Sequence, residues 1–524
     1  MPHTHHQYFY RWTNKLIAFI NNVDSEEVGK KMKKKTFRHE TDDGGFEMGS
    51  YNNKICQTPN LDKLAKEGLI FNNAYTSVSS CSPSRASILT GLPSHQNGMY
   101  GLHNGVHHFQ SFDNIKSIPN ILKKHNVTTG IIGKKHVGPS DVYNFDYSET
   151  EENNSILQVG RNITKIKLLV REFLSQSKNT NKPFFLYIAF HDPHRCGHTN
   201  PEYGNFCEKF GNGDSGMGTI PDWSPIYYQW DQVKVPYFIQ DTEMARRDIS
   251  AQYTTMSRLD QGVGLVLKEL ESAGFKDNTL VIYTSDNGIP FPNGRTNLYD
   301  PGMAEPLIIS SPYHKERRNQ ATYSMTSLLD ITPTILDWFN INNHQDSIIS
   351  NEIPAQKLTG KSLLPLLITE PVHEDGIVFA SQTHHEVTMY YPMRVARTKR
   401  YKLIHNLNYG MPFPIDQDFY LSPTFQDLLN RSRSNMPLRW YKSLNTYYNR
   451  PEWELYDLKH DPEELNNIVN KSASKIVFKE LYEKLLTWQK ATDDPWICAP
   501  DGVLEPIDGD KNNLGCMSTN YESN

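Results

Sequence analysis

The stretch Cys81-Ser82-Pro83-Ser84-Arg85 combines a thiol, a proline suited to the first turn of a helix and a permanent positive charge. Ser82 can cap that helix and Pro83 can occupy its first turn, which would place Cys81 just before a helix amino terminus. Free backbone N–H groups and the helix dipole favour an anion there, and Arg85 adds a fixed cation one turn further on. A lone cysteine is most often a buried structural residue. In this positive setting, the functional alternative is an activated thiolate.

Three predicted strands are each followed by a polar cluster. Because ligands of open α/β sheets bind beyond the carboxyl ends of strands, we expect these clusters to converge on one rim of the sheet. The cluster members are Lys134 and His136, then His191, Asp192 and His194, then Asp286 and Asn287 with Arg295 shortly beyond.

Two oxygen-rich pairs, Asp42-Asp43 and Asp286-Asn287, come from distant parts of the chain. Together they offer three carboxylates and an amide carbonyl, the hard oxygen ligands that calcium or magnesium prefers over zinc. Either pair alone would more commonly be a turn or a helix cap. Their expected convergence on one rim favours a metal site.

The elements that must position these residues alternate between strand and helix. Thr58 and Pro59 predict the start of a helix, as cap and first residue, and Gly68 predicts its end. Continuous apolar strands between amphipathic helices indicate an α/β fold with a largely parallel sheet covered by helices on both faces. The predicted strands are LIFNNAY and residues 127–133, 183–190 and 278–285, and further helices are predicted at 163–177, 249–274 and 475–492.

Differences in composition and in the strand–helix pattern divide the chain into three parts. Residues 41–375 carry the alternating pattern and are predicted to be the catalytic domain, and residues 376–524 are shorter, Tyr- and Pro-rich segments predicted to form a smaller α+β domain. Residues 1–40, with the run KKMKKK, are predicted to be an atypical disordered tail. The segment KKMKKKTFRHETDD is not expected to form a buried central strand, because unpaired buried lysines cost several kcal/mol each.

Charge and composition exclude some classes of protein. The net charge of −5 argues against broad capture of nucleic acid. No apolar run is long enough to predict a membrane span, and the run at residues 16–20 is too short for a signal peptide. Cys196 with Cys207, and Cys498 with Cys516, could each close a short disulfide loop. Five glycosylation acceptors fit a secreted or lumenal chain, at Asn126, Asn153, Asn162, Asn430 and Asn470.

The motif at residues 81–85, with Thr90-Gly91 following, resembles the C-x-P-S-R signature of the sulfatase family, in which the cysteine is oxidised to formylglycine. The segments GIIGKKHVGP, AFHDPHRCGH, TSDNGIPFPNGRTNLY and SQTHHEVTMYYPMR extend the resemblance from about residue 42 to about residue 501. It implies an alkaline-phosphatase-like α/β domain with a smaller C-terminal antiparallel-sheet domain. It also implies a lysosomal homodimer that is matured by a formylglycine-generating enzyme.

The resemblance implies a nucleophile and a metal. Cys81 would become the formylglycine whose hydrated form attacks sulfur, and elimination from the second hydroxyl would then release sulfate. One calcium ion would lie beside residue 81, which would also be a ligand. The other implied ligands are Asp42, Asp43, Asp286 and Asn287.

The remaining implied roles concern protons and charge. Arg85 and Lys134 would orient the hydrate and neutralise negative oxygens. His136 would take the proton that expels sulfate, and His194 would protonate a departing amine. Arg295 stands where many O-sulfatases carry a lysine and would grip the sulfonate.

The implied reaction is hydrolysis of the N-sulfate from a glucosamine at the non-reducing end of heparan sulfate. Arg295 and the histidine-rich AFHDPHRCGH segment favour it over the alternatives. These are an O-sulfatase on a sulfated sugar, a phosphate-processing relative that uses an unmodified Cys81, and a catalytically inactive binding protein with an aberrant amino terminus. Candidates for lining the sugar pocket, each with an ordinary loop role as the alternative, are His191, Asp192, His384, His385 and Glu386.

Overall fold

The computed structural model describes residues 33–197, 203–341, 358–372 and 376–518. A large mixed sheet runs in the order β5-β4-β6-β1-β7-β8-β2-β9, and β8 is antiparallel to both its neighbours while the other pairs are parallel. Its strands are β1 Lys35–Asp42, β2 Leu69–Phe71, β4 Thr128–Gly133, β5 Tyr147–Thr150, β6 Phe184–Pro193, β7 Thr279–Ser285, β8 Leu307–Ser310 and β9 Gln320–Thr322, and β3 Ala74–Tyr75 pairs separately with β10 Thr326–Ser327.

Helices cover both faces of this sheet, as predicted. Alternate residues of β6 divide between two cores, with Phe184 and Leu186 on one side and Phe185 and Tyr187 on the other. The first core packs against α1, α5 and α6, and the second against α2, α4 and α8. The bounds are α1 Pro59–Lys66, α2 Cys81–Thr90, α3 Ser94–Asn97, α4 Ile118–Lys124, α5 Ile163–Thr180, α6 Glu243–Ser272, α7 Asp300–Met303 and α8 Ile331–Trp338.

The C-terminal region adds a four-stranded antiparallel sheet, β11 Ile377–Gln382, β12 Met393–Thr398, β13 Tyr401–Asn406 and β14 Trp453–Asp457. The helix predicted at 475–492 is present as α12 Lys475–Ala491, and it packs on this sheet. A hairpin of β15 Gly502–Ile507 and β16 Asp510–Ser518 follows. The short helices between these strands are α9 Gln417–Tyr420, α10 Pro423–Arg433 and α11 Leu444–Tyr448. The boundary at residues 375/376 stays a prediction.

Strand β1 corrects the expectation for the lysine-rich segment. Residues 35–42 form a fully buried central strand, in parallel register with β6 and β7, so residues 35–40 do not belong to a tail. The expectation was wrong because charged groups on the strand are paired. Arg38 forms an ion pair with Glu40, which also accepts a hydrogen bond from the Tyr187 hydroxyl at 2.5 Å. The Lys35 ammonium lies 4.5 Å from the centre of the Phe275 ring. Residues 1–32 lie outside the described residues.

Within the described residues, no helix is both long and apolar enough to cross a bilayer. The predicted helices at Pro59 and at 163–177 are present as α1 and α5, and the long helix begins six residues earlier than predicted, at Glu243. LIFNNAY is interrupted after Phe71 and divides into β2 and β3.

Candidate active site

Four neighbouring strands of the large sheet, in the order β4-β6-β1-β7, end at the same rim because they run parallel. The polar clusters that follow them therefore come together. Carboxylate oxygens of Asp42 and Asp43, the sulfur of Cys81 and a ring nitrogen of His194 all lie within 4.8 Å of one another. Asp42 ends β1 and Asp43 follows it, Cys81 begins α2, and His194 directly follows β6.

Cys81 is the first residue of α2 and its side chain is buried, with 2% of the residue exposed. The helix thus begins two residues earlier than a cap at Ser82 predicts, and its cap position is Ser80. Ser84 instead donates a hydrogen bond to the backbone carbonyl of Asp286 at 2.5 Å, which ties the helix to the end of β7.

The surroundings of Cys81 do not produce the thiolate expected from the helix terminus. Burial raises the pKa of the thiol well above its usual value; Lys134 opposes this, and the carboxylates of Asp42, Asp43 and Asp286 add to it. Without a cation at the rim, this burial favours the neutral thiol over the thiolate.

The acidic groups at the rim have the chemistry of a hard-cation site. Burial raises the pKa of Asp43 well above its usual value; Arg295 opposes this, and Asp42 and Asp286 add to it. Burial also raises the pKa of Asp286, to about 6, against the charge of Arg85. Buried carboxylates at such close range are destabilised by mutual repulsion unless a cation lies among them.

Asn287 supplies the independent test of fit to a metal. Its side-chain amide donates to Asp43 Oδ1 at 2.8 Å, while its buried carbonyl oxygen accepts no hydrogen bond from the described residues. A buried acceptor without a partner is unfavourable unless something else binds it. The residues present therefore fit an oxygen-liganded calcium ion.

Two cations, Arg85 and Lys134, contact this acidic group. The buried Arg85 guanidinium contacts Asp286 Oδ2 at 2.8 Å, Asp42 Oδ1 at 3.3 Å and Glu40 Oε1 at 3.0 Å. Lys134 Nζ donates to Asp42 Oδ2 at 2.5 Å. Burial alone would raise the pKa of Asp42, but Lys134, followed by other cationic groups, holds it well below its usual value. Asp42 therefore stays ionised.

Arg295 connects the metal-ligand candidates to a part of the chain that the sequence did not indicate. One of its nitrogens donates to Asp43 Oδ2 at 2.5 Å and to His194 Nε2 at 2.9 Å. Its other terminal nitrogen donates to Asp416 at 3.0 Å and to Asp418. Asp416 is the cap of α9 and Asp418 lies in it, so the smaller region contributes directly to the site.

His194 has a defined tautomer. Its Nδ1 lies 2.7 Å from the backbone oxygen of Arg195, which can only accept, so Nδ1 carries the hydrogen. Its Nε2 is consequently the nitrogen that faces Arg295 and Asp43. Burial lowers the pKa of His194 well below its usual value. The imidazole is therefore neutral and can exchange a proton at Nε2.

Two other predicted residues of this rim have different surroundings. His191 Nδ1 lies 2.7 Å from Glu151, a buried carboxyl that the sequence did not indicate, and His191 Nε2 lies 3.9 Å from Asp42 Oδ2. Asp192 was expected to line the sugar pocket, but both its carboxylate oxygens are bonded to Arg258, at 2.7 and 2.9 Å. Arg161 also contacts Asp192. Both carboxylate oxygens of Asp192 are therefore already bonded to arginines, and Asp192 holds the end of β6 in place.

The remaining candidates surround the rim. His136 has a backbone φ of 55° and a buried Nδ1 that makes no hydrogen bond to the described residues, and burial lowers its pKa well below the usual value. His385 Nδ1 lies 2.8 Å from the Ser80 hydroxyl, next to Cys81. His384 lies between the rings of Phe109 and Tyr390.

The structure also shows the predicted disulfides and the positions of the glycosylation acceptors. Cys196 is bonded to Cys207 and Cys498 to Cys516, the two pairs suggested by their spacing. Of the glycosylation acceptors, Asn162 is half-buried and caps α5 by accepting a hydrogen bond from the Lys165 amide at 3.1 Å. The other four are exposed, at Asn126, Asn153, Asn430 and Asn470.

Comparison with known families and proteins agrees with this arrangement. The family model "Sulfatase" matches residues 37–341, and the model "N-sulphoglucosamine sulphohydrolase, C-terminal" matches residues 427–491. Human N-sulphoglucosamine sulphohydrolase is 61% identical over 464 residues, covering 88% of this chain and 91% of the human protein. The N-acetylglucosamine-6-O-sulfatase of Bacteroides thetaiotaomicron is 25% identical, covering 85% of this chain and 84% of the relative.

Solved structures agree on the fold. A protein in complex with its substrate D-glucosamine-2-N,6-O-disulfate superposes with a TM-score of 0.58 at 22% identity, covering 88% of this chain and 98% of that one. A sulfatase from Bacteroides fragilis superposes with a TM-score of 0.60 at 20% identity, covering 90% and 99%. The two-sheet architecture expected from the sequence is therefore confirmed. With its signature motif at the rim, its matched family model and its close relative, the chain belongs to the sulfatase family.

Proposed function

We propose that this chain is a sulfohydrolase that removes the N-linked sulfate from a glucosamine at the non-reducing end of heparan sulfate. The observation that carries the proposal is the position of Cys81, at the first turn of α2 and within 4.8 Å of the Asp42 and Asp43 carboxylates and His194. The 61% identity to human N-sulphoglucosamine sulphohydrolase supports the same substrate class.

Residue 81 and the acidic rim would hold the reactive groups. Asp42, Asp43, Asp286 and the amide oxygen of Asn287 are the proposed calcium ligands, with residue 81 beside them. Calcium, when bound, lowers the energy of negative charge on oxygen, and a formylglycine made from Cys81 supplies, as its hydrate, a hydroxyl nucleophile that the buried thiol does not.

Arg85 and Lys134 fix the position of residue 81 and of the substrate oxygens. Arg85 donates to the backbone oxygen of Lys134 at 2.9 Å, so each cation is held by the same network. Their positive charges lie in a buried setting, where they stabilise developing negative charge more strongly than they would in water. Arg295, which contacts Asp43 and Asp416, would bind the sulfonate.

Two histidines are suited to moving protons. We assign to His136 the removal of the proton whose loss expels sulfate, and to His194 Nε2 the protonation of the amine that departs. Burial lowers the pKa of both imidazoles, so His136 can accept the proton of the hydrate, whereas His194 must first take up a proton from solvent at Nε2 before it can donate it to the amine. General acid–base help of this kind contributes about 10²- to 10⁴-fold in rate.

Maturation, assembly and compartment belong to the same proposal. Two disulfides suit a chain that folds in an oxidising compartment. A lysosomal glycoprotein homodimer, matured by a formylglycine-generating enzyme, is the form in which we expect it to act.

The test is mass spectrometry of the tryptic peptide ending at Arg85, combined with an assay on two substrates. Protein from a host that makes formylglycine is expected to carry an aldehyde at position 81 and to desulfate N-sulfated glucosamine. Cys81→Ala is the matched control and is expected to be inactive while folded. An intact thiol in active protein would refute the nucleophile, and turnover of 6-O-sulfated but not N-sulfated glucosamine would identify an O-sulfatase.

A further inference from the structure

An acidic pair from the C-terminal region reaches the site, although it lies more than 120 residues from Arg295 in sequence. Asp416 and Asp418 both accept hydrogen bonds from the Arg295 guanidinium, on the side away from Asp43. Arg295 thus contacts three carboxylates. One guanidinium needs one carboxylate to balance its charge, so the pair adds negative charge to a site that binds an anionic sulfonate.

The two members of the pair differ in what else they contact. Asp416 Oδ1 also accepts the Phe419 amide at 2.9 Å, as the cap of α9, and Asp416 is almost fully buried. The Asp418 side chain is 11% exposed, and its Oδ2 lies 3.8 Å from His194 Nε2. The second oxygen of Asp418 is therefore turned towards the nitrogen that we assign to protonating the leaving group.

A carboxylate in this position repels the sulfonate and the bridging oxygen of a sulfate ester, because both are electron-rich. It attracts the nitrogen of a sulfamate, which carries an N–H donor in the substrate and becomes a positively charged ammonium in the product. The difference between these leaving groups matches the charge that Asp418 adds.

We propose that Asp418 is a specificity-determining residue that accepts a hydrogen bond from the sulfamate N–H and stabilises the departing ammonium. The inference rests on the proposed function and deepens it, since it assigns the distinction between N-sulfate and O-sulfate to one side chain. Glu386 belongs to the same wall of the site, because its Oε1 accepts the Gln417 amide at 3.2 Å and so faces α9.

Asp416 offers a matched control. Asp416→Asn removes a charge from the same guanidinium, but Asp416 faces the helix cap instead of the sugar. It should therefore change the charge around Arg295 without changing the recognition of an amine. Asp418→Asn changes the same charge and should in addition weaken the recognition of an amine, and Asp418→Ser provides a second variant if the first unfolds, as judged by thermal denaturation.

The experiment measures binding of glucosamine, N-acetylglucosamine and inorganic sulfate by NMR titration, and kcat/KM on N-sulfated glucosamine. Wild-type protein is expected to prefer glucosamine, which is a cation, over neutral N-acetylglucosamine. Asp418→Asn should lower glucosamine affinity and kcat/KM by about 10-fold or more, the loss expected for a charged hydrogen bond, with sulfate affinity retained or raised, because the charge that is removed repels an anion. Asp416→Asn removes a charge from the same guanidinium but should keep the preference for glucosamine.

Equal losses of glucosamine and sulfate binding in both variants would overturn the inference and leave Asp418 with the role of orienting Arg295. A wild-type protein without preference for glucosamine would overturn it as well. A wild-type protein that prefers glucosamine but leaves N-sulfated glucosamine intact would instead contradict the proposed function, so the two failures can be told apart.

Discussion

His39 is a buried histidine in the middle of β1, and neither of its ring nitrogens has a hydrogen-bond partner in the part of the chain that the structure describes. Burial lowers its pKa to about 3. Its ring lies between apolar neighbours, 5.9 Å from the Phe37 ring centre and 6.5 Å from that of Phe190. We predict that His39→Leu stabilises the protein, because a side chain of similar size fills the site without an unpaired polar group.

The size of the effect depends on pH. At pH 7.5, removal of the unpaired buried nitrogens should raise the free energy of unfolding by about 1–3 kcal/mol. A histidine whose pKa is lowered in the folded state takes up its proton only on unfolding, so stability is lost as the pH falls below the unfolded value of about 6.5. At pH 5 the wild-type protein therefore loses about 2 kcal/mol through His39, and His39→Leu should gain that amount in addition.

A second buried histidine, His95, separates the effect of unpaired ring nitrogens from the effect of a lowered pKa. Burial also lowers its pKa to about 3, but its ring nitrogens lie 2.9 Å from the Ser381 hydroxyl and 2.8 Å from the Thr492 hydroxyl. His95→Leu should therefore destabilise the protein at pH 7.5, by about 1–3 kcal/mol, yet recover about 2 kcal/mol relative to wild type at pH 5. Urea denaturation at the two pH values measures both changes. A gain for His39→Leu that is independent of pH would refute the assignment of a buried neutral imidazole, and a loss at pH 7.5 would show that the ring has partners.

Three further predictions concern the proposed calcium ligand Asn287, the buried Arg394–Asp494 ion pair and Gly133 at the end of β4. Calcium should raise the melting temperature of the wild-type protein. Asn287→Ala should require a higher calcium concentration for the same shift, because one ligand is lost. Identical calcium titrations of the two proteins would argue against Asn287 as a ligand. Arg394→Met should lower the free energy of unfolding by about 3–5 kcal/mol, because it leaves the Asp494 carboxylate buried without its ion-pair partner. Combining Arg394→Met with Asp494→Leu should recover most of that loss, as measured by urea denaturation. Additive losses in the double variant would argue against the pairing. Gly133→Ala should lower stability and activity, because φ is +99° and a Cβ would lie 2.0 Å from the backbone oxygen of Ala189; wild-type values in both assays would contradict that conflict.

Much of the large sheet could be predicted from the sequence because its strands carry strong local signals. The segment at 183–190 is a continuous apolar run, those at 127–133 and 278–285 are rich in apolar and β-branched residues, and each corresponds to a strand. Strand β1 could not be predicted in this way, since its charges are acceptable only when Tyr187 and Arg85, remote in sequence, lie against Glu40. Burial of a charged strand is a property of its neighbours, which local patterns do not contain.

Site residues that directly follow a predicted strand could be predicted from the sequence. Site residues contributed by other parts of the chain could not. Lys134, His194 and Asp286 follow predicted strands and could be placed on one rim by the rule for parallel strands, whereas Asp42 and Asp43 follow β1, which the sequence did not predict. Asp416 and Asp418 follow no strand of the large sheet, and in sequence Asp416 is simply a helix cap. Glu151 likewise becomes recognisable only through its contact with His191.

The burial of Cys81 imposes an order of events on biosynthesis. In the folded protein its sulfur is enclosed by α2, the rim carboxylates and the segment around His385, which would keep a modifying enzyme from the thiol. The proposed conversion to formylglycine would therefore take place while the chain is still extended, in competition with folding. Faster folding of this region would then yield more inert molecules, and a natively folded, unconverted protein would remain beyond repair unless it first unfolded.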